Sequence, residues 1–411
     1  MEELAIFFSA FSQNINQAFK SDDNEDQHSK ANAKMLIAQM SWTVSKDPSA
    51  LLFQGHSNDP ANIFRTQAWL DSWIKLAEKH LDKKIKILLG SLNGKTVVAI
   101  PLAIRRRRFT SSAKFIAQDV CDYNGLVIHE DLVQNSSAHL INRLIEEIGV
   151  LLPSIDYVDL RKVLFKNFSP VNNRIEWQED LEKSHLVKLS GNWENDLNQF
   201  VGGTSRKSLK RKLKKLEKMG QVTFAEITEL KEKEKAVKKL CDWKSGQLQE
   251  LGTANIFEYG IFRDFLVTSV TNDDGKLVRL FGMFVDGEPI ALIHMLCTND
   301  RWFLYQTAYT PEEAGKNSPG QMLMLEVLER ACNENIPLFD FGWGNEPYKQ
   351  RYSSESLTVY NAFLPLSAKG QLICMAKKAI TALKNFAKSN RYIRSIATLS
   401  LRLIAYTKSV G

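Results

Sequence analysis

Apolar and polar positions alternate in two successive series along the chain. In the first, apolar residues at helical spacing (Phe64, Trp69, Leu70 and Trp73) predict a helix near 63–73. Strand-like runs follow at 85–92 and 96–104, joined by Asn93-Gly94, a strong hairpin signal. A further strand is expected at 114–118, a helix at 137–151 and a strand at 155–160. The second series repeats this order. Strands at 277–285 and 289–297 flank Asp286-Gly287, and a third covers 301–309. A helix runs from about Gly320 to Asn333, and a strand fills 336–341. Leu338-Phe-Asp-Phe341 lines up with Tyr157-Val-Asp-Leu160, so the two series read as a duplication of one α/β unit. Between them, 192–270 reads as helical. At the start, 4–19 is weakly amphipathic and 21–30 is a polar, acidic linker. At the end, 369–408 has helical periodicity, with Leu372, Ala376, Ile380, Leu383 and Ala387 on one face.

Composition keeps this picture within ordinary globular proteins: 411 residues, 44% hydrophobic and 25% charged. That length suits two domains with extra segments, large enough to fold without disulfides or metals. The net charge of +7 is unevenly placed. No Asp or Glu follows Glu355, and a second basic run spans Arg206 to Lys218. Such a distribution points to an anionic partner: a phosphate-bearing cofactor, nucleic acid or an acidic membrane surface. Five dispersed cysteines without a CxxC pair fit reduced thiols, and no zinc-site spacing occurs. No signal peptide or apolar span is read, so the expected location is cytoplasmic; the basic amphipathic tail can either lie on the inner membrane face as a peripheral contact or pack on the protein body.

The most informative segment is Tyr305-Gln-Thr-Ala-Tyr-Thr-Pro-Glu-Glu-Ala-Gly-Lys-Asn-Ser-Pro-Gly-Gln321. A strand runs into a loop and then into an apolar-periodic helix. Unpaired amides and about +0.5 charge at a helix start suit a pyrophosphate. Gly320 leaves room for close approach, Ser318 can cap, and Pro319 has no N–H to waste. Lys316 adds charge. Tyr309, Gly315 and Gln321 complete the expected cofactor set. Without a ligand, Ser-Pro-Gly is simply a helix start.

Asn317-Ser-Pro-Gly320, Asp340-Phe-Gly-Trp-Gly344 and Glu346-Pro-Tyr-Lys349 together resemble the GNAT-type acetyltransferases. More narrowly, they resemble the branch first named for cellulose-biosynthesis proteins, related to the Fem peptidyltransferases. The basic stretch from Ser205, the aromatic segment Phe64 to Trp73 and the pair Asp122-Tyr123 extend the resemblance over about 45–365. It implies an α/β (α+β) fold of tandem GNAT-like domains, each a mixed, mostly antiparallel sheet flanked by helices, with a basic helical tail. The expected division is 1–45 for helix and linker, 46–190 for a degenerate GNAT-like domain, 191–365 for an acyl-CoA-binding domain with the basic helix inserted, and 366–411 for the tail. The first domain lacks a glycine turn before its helix, carrying Val133-Gln-Asn-Ser-Ser-Ala138 instead.

The activity implied is transfer of an acyl group, acetyl first, from acyl-CoA to a small amine or amino-sugar acceptor in polysaccharide or cell-envelope metabolism. Asp340 is the expected base, with Tyr348 and Glu346 as further catalytic candidates. Gly342, Gly344, Lys349, Asp122 and Tyr123 are expected at the acceptor. No metal is expected. Each residue has a structural alternative: a capping or ion-paired Asp340, ordinary strand-end glycines, a packed tyrosine beside a solvated lysine. His294, alone in a strand, reads first as a hydrogen-bonded structural residue. The basic run from Arg206 fits CoA phosphates, glycan, RNA or only a solvated helix face. Two rival readings follow: a Fem-like transferase using aminoacyl-tRNA, and a non-catalytic GNAT-fold protein at a membrane or polysaccharide-assembly complex.

Overall fold

A computed structural model describes residues 37–51, 59–81, 83–129, 137–164, 176–253, 255–273 and 275–389. The expected amino-terminal helix, most of the linker, the 133–136 turn and the tail beyond 389 lie outside them. In chain order the first elements are β1 (Ser41–Ser45), α1 (Gln67–Leu81), β2 (Lys83–Leu92), β3 (Lys95–Arg107), β4 (Thr110–Phe115), β5 (Val127–Ile128), α2 (Ser137–Leu151), β6 (Tyr157–Leu164) and β7 (Gln178–Glu179). Then come β8 (Ser184–Lys188), α3 (Trp193–Phe200), α4 (Gly203–Glu217), β9 (Val222–Ile227), α5 (Leu230–Glu250), α6 (Gly260–Thr271), β10 (Val278–Val285), β11 (Glu288–Cys297) and β12 (Arg301–Tyr309). The remainder is α7 (Pro319–Asn333), β13 (Leu338–Trp343), α8 (Pro347–Tyr352), β14 (Glu355–Leu357), β15 (Val359–Pro365) and α9 (Ala368–Ser389).

These elements form two α/β units, each a mixed sheet with helices. The sheet of unit 1 has the order β1-β2-β3-β4-β6-β15-β7, with β5 also on β3. The sheet of unit 2 has the order β14-β8-β13-β12-β11-β10-β9. Both expected hairpins are present. Asn93 and Gly94 have φ of 49° and 76°, and Asp286 and Gly287 have 49° and 81°, the left-handed pair that a two-residue hairpin turn demands.

The duplication is visible in the strand register. In unit 1, β4 runs parallel to β6 with Lys114 opposite Asp159. In unit 2, β12 runs parallel to β13 with Phe303 opposite Asp340. On its other edge each Asp-bearing strand takes an antiparallel partner. β6 pairs with β15, while β13 pairs with β8.

β15 reaches unit 1 from beyond the whole of β8–β14, so the units are not serial. Among the described residues, unit 1 gathers those within 37–67, 83–180 and 359–378; unit 2 gathers those within 68–81, 181–358 and 379–389. By this division β8 belongs to unit 2 and β15 to unit 1. The reason is apolar demand on local faces. Val359, Ala362, Phe363 and Leu364 of β15 are buried, and Ala362 and Leu364 join the unit 1 core with Leu160 and Val158. Similarly, Trp69 and Trp73 of α1 pack edge-on against Phe265, with Trp69 also on Tyr305, all within unit 2. The 192–270 region is likewise not wholly helical. Val222–Ile227 forms β9, paired antiparallel with β10. The strand expected at 114–118 lies earlier, at Thr110–Phe115.

Candidate active site

The central feature of unit 2 is a fork between two parallel strands. β12 and β13 pair from Arg301–Leu338 only as far as Phe303–Asp340. β13 then bends away. A register shift against β8 falls between Asp340 and Gly342, and Gly342 has φ of 73°, which glycine adopts without a side-chain penalty. β12 continues along β11 to Tyr309, with its own irregularity at Tyr305, between the pairs His294–Gln306 and Met295–Leu304. A bulge re-aims the strand where the fork opens. From Leu304 onward β12 has no β13 partner. Side chains of α5 serve its backbone instead: Lys244 Nζ donates to the Thr307 carbonyl at 3.2 Å and Gln247 Nε2 to the Tyr309 carbonyl at 3.2 Å. Neither residue was signalled by a motif.

The unpaired strand leads into the Ser-Pro-Gly turn. A short 3-10 turn, Glu313–Asn317, ends at Ser318, which has a left-handed φ of 57°; α7 starts at Pro319. Ser318 does not cap with its side chain. Its carbonyl accepts from the Gln321 and Met322 amides at 3.2 and 3.3 Å, while its Oγ accepts from Lys212 Nζ at 2.6 Å. The Gly320 amide has no acceptor among the described residues. A Cβ at Gly320 would lie 3.2 Å from the half-exposed Tyr309 ring. Gly315 serves the turn itself, because a Cβ there would come within 2.0 Å of the Thr310 carbonyl oxygen. Lys316 turns outward to Glu313 at 2.5 Å, both side chains largely exposed. The cation at the turn is therefore Lys212 from α4, which anchors Leu209, Leu213 and Leu216 on the unit 2 core and leaves Lys207, Lys210, Arg211, Lys214 and Lys215 exposed. Gln321 Nε2 donates to the buried Tyr352 hydroxyl at 2.8 Å, a partner the sequence did not single out.

Beyond the fork the acidic candidates separate. Asp340 is completely buried. Its Oδ2 accepts from Arg301 Nη1 at 2.5 Å and its Oδ1 from the Gly342 amide at 2.8 Å. With both oxygens engaged away from water, this carboxylate braces the fork. This is the ion-paired alternative the sequence offered for Asp340. Glu346 is half-exposed at the start of α8, and its Oε2 lies 3.2 Å from Lys349 Nζ. Lys349 is buried and donates to the Trp343 carbonyl at 2.6 Å. Gly344, with φ of 126°, leaves the space that Glu346 needs: a Cβ there would meet its Oε2 at 2.4 Å. Asn345 ties this loop to β8, accepting from the Lys183 amide at 3.2 Å and donating to the Leu181 carbonyl at 3.0 Å. Burial holds the Lys244 ammonium below its ordinary range, reinforced by nearby Lys349 and opposed by Glu346. Lys244, Lys349 and Glu346 thus form one charged group at the fork. Tyr348 packs partly buried against the core.

Asp122 and Tyr123 lie in unit 1. Asp122 pairs with Lys162 Nζ at 2.9 Å, and Tyr123 is buried edge-on against Phe64. All five cysteines are free and buried; burial pushes Cys241 up to about 12 and Cys332 up to about 11, which keeps both thiols protonated.

His294 is buried on β11, with Nε2 3.3 Å from Ser269 Oγ. Burial holds its pKa down at about 3, so the ring is neutral in the fold. The unfolded chain protonates first. Stability is accordingly intact above the ordinary 6.5 and is lost progressively as pH falls from there toward about 3. The expected contribution is about 1.4 kcal/mol per pH unit within that window. Urea unfolding across pH 7 to about 4 should show a shallower pH dependence in His294→Gln than in the wild type. Parallel slopes would refute the assignment.

A sheet whose parallel strands part at a bulge, followed by a glycine-bearing helix start, defines unit 2 as GNAT-like. Residues 203–350 match the family described as acetyltransferase (GNAT) domain. The matched stretch lies within unit 2, from the start of α4 into α8. No curated protein matches the chain by sequence. Among solved structures, FemX superposes with a TM-score of 0.57 at 10% identity, over 81% of this chain and 100% of its own. A conserved protein of unknown function from Bacteroides thetaiotaomicron VPI-5482 superposes with a TM-score of 0.50 at 12% identity, over 79% and 100%. Both are likenesses of fold.

Proposed function

We propose that the chain is an acyl-CoA-dependent N-acyltransferase of the GNAT type, moving an acyl group, acetyl first, onto a small amine or amino sugar in polysaccharide or cell-envelope metabolism. The observation that carries this reading is the edge of β12 left without β13 from Leu304 onward, leading directly to the Gly320 helix start. A pantetheine arm has amide groups that match such an edge, and Thr307 and Tyr309 would exchange Lys244 and Gln247 for them. Tyr309, Pro319, Gly320 and Gln321 would border the diphosphate, with the Gly320 amide, the α7 dipole and Lys212 offering positive charge. The bound thioester supplies the activated acyl group. Backbone amides at the Tyr305 bulge would polarise its carbonyl. Glu346 takes the proton that the amine releases as the C–N bond forms and the C–S bond breaks. Lys349 and the open backbone at Gly342 and Gly344 position the acceptor, with Tyr348 alongside. We place the chain in the cellulose-biosynthesis-like branch on its Ser-Pro-Gly, Asp-x-Gly-x-Gly and Tyr-Lys segments.

A second reading has a specific support. The exposed cations of α4 and the FemX-like fold also suit an aminoacyl-tRNA donor. Thermal unfolding separates the two. Saturating acetyl-CoA is expected to stabilise the wild type by about 3 kcal/mol at a hundredfold excess over its dissociation constant, a shift of several degrees. Gly320→Glu sets a carboxylate at the same helix start and should abolish the shift. No shift in the wild type, together with salt-dependent tRNA binding, would replace the first reading with the second.

A further inference from the structure

In unit 1 the counterpart of the fork is closed. β4 and β6 pair in parallel only from Ser112–Tyr157 to Lys114–Asp159. Beyond that point Asn124 takes the place beside β6. It bridges Val163 in parallel, its amide donates to the Lys162 carbonyl at 2.9 Å, and its Nδ2 donates to the Arg161 carbonyl at 3.1 Å. Next to this plug, between the sheet and α2, lies a cavity of about 70 Å³. Its wall is mainly apolar, with Leu144, Ile145 and Ile148 of α2 across from Phe115, Leu160 and Val163. Close-packed interiors leave few voids larger than a water molecule, so a space of this size is unusual.

The cavity also has polar lining, from Asp59 and the backbone at Gly125, and Arg65 joins the two. Arg65 Nη1 donates to Asp59 Oδ2 at 2.6 Å and to Asn62 Oδ1 at 3.0 Å. Its Nη2 stands 3.2 Å from where a Cβ on Gly125 would lie, so glycine keeps the approach to this nitrogen open. The Arg65 side chain is only 10% exposed, and Nη2 is buried with no hydrogen-bond partner among the described residues. Buried donors are normally satisfied, so this one marks a place for an oxygen acceptor. Charge narrows the choice. Arg65 and Asp59 neutralise each other, and an anionic head would meet the Asp59 carboxylate. An amide suits both groups: its oxygen accepts from Nη2 and its N–H donates to Asp59, whose oxygens so far accept from Arg65 and the Ala61 amide. We propose that unit 1 binds a small acylamide, its apolar chain in the cavity and its amide between Arg65 and Asp59. An apolar cavity about twice this size admits benzene, so about three or four carbons fill the enclosed part. This inference stands apart from the acyl-transfer reading, since it uses no residue of the unit 2 fork.

Saturation-transfer NMR on the full chain tests it, with isovaleramide as the probe. The wild type is expected to bind it saturably, in the millimolar range. Isovalerate sets a second carboxylate against Asp59, and methyl isovalerate lacks the N–H, so each should bind at least about tenfold more weakly. Arg65→Met removes the donor and should weaken isovaleramide by a similar factor. Ile145→Trp fills the cavity from α2, leaves Arg65 and Asp59 in place, and should abolish the signal. The three compounds on the wild type decide the matter even where a variant fails to fold. No saturable binding of isovaleramide, equal binding of all three compounds, or binding unchanged in folded Ile145→Trp would each overturn the proposal.

Discussion

Replacing Asp340 by alanine is expected to lower the unfolding free energy by about 3–5 kcal/mol, the usual effect of removing one partner of a buried ion pair. The loss has two sources. Arg301, itself almost fully buried, would keep its charge without a counter-ion, and the Gly342 amide would lose its acceptor. Both groups hold the point where β13 leaves β12, so the fork should loosen as well. Urea unfolding of the wild type and variant measures the difference. The double replacement Arg301→Met/Asp340→Leu should recover most of it, because no unpaired charge remains. Asp340→Asn tells stability from chemistry. As a brace, Asp340 predicts that acyl transfer in this variant falls in step with melting temperature and persists well below it. A variant with wild-type stability and abolished turnover would restore the residue to the chemistry.

Asp340 illustrates what the sequence shows and what it hides. An acid at a strand end before Gly-x-Gly reads as a site residue, while the arginine that neutralises it stands 39 positions earlier, on the neighbouring strand. Local features were legible because their cause is local. The two hairpins follow from Asn93-Gly94 and Asp286-Gly287, and α7 begins at Pro319, whose ring presets the φ of a first helical residue. Long-range pairing was not legible. β8 has only five residues, and β15 meets β6 across about two hundred positions, so neither apolar pattern says which sheet it completes. Lys212 was hidden differently. In a run of many cations, nothing nearby distinguishes the one that reaches Ser318, 106 residues on. The duplication bridged part of this gap: the aligned Asp159 and Asp340 each sit on a strand with one parallel and one antiparallel neighbour.

Glu346→Gln is expected to reduce acyl-transfer turnover by about a hundredfold to ten-thousandfold, the range for removing a positioned general base. Two features make this residue the strongest test of the proposed chemistry. Glu346 is the half-exposed carboxylate at the mouth of the fork, and glutamine keeps its shape while ending its ability to accept a proton. The same substitution leaves Lys349 held by the Trp343 carbonyl, so the loop should persist and the unfolding curve should stay close to wild type. Acetyl-CoA protection should also be unchanged, because the Gly320 turn and Lys212 are untouched. The loss should therefore appear in kcat with little change in donor affinity. Lys349→Met offers the contrast. It removes the cation that orients Glu346 and depresses Lys244, so acceptor KM and turnover should both suffer, with some folding stability lost at the buried site. If Glu346→Gln turned over normally, proton removal would have to fall to another group at the fork, and Lys244, whose ammonium burial already disfavours, would be the next candidate.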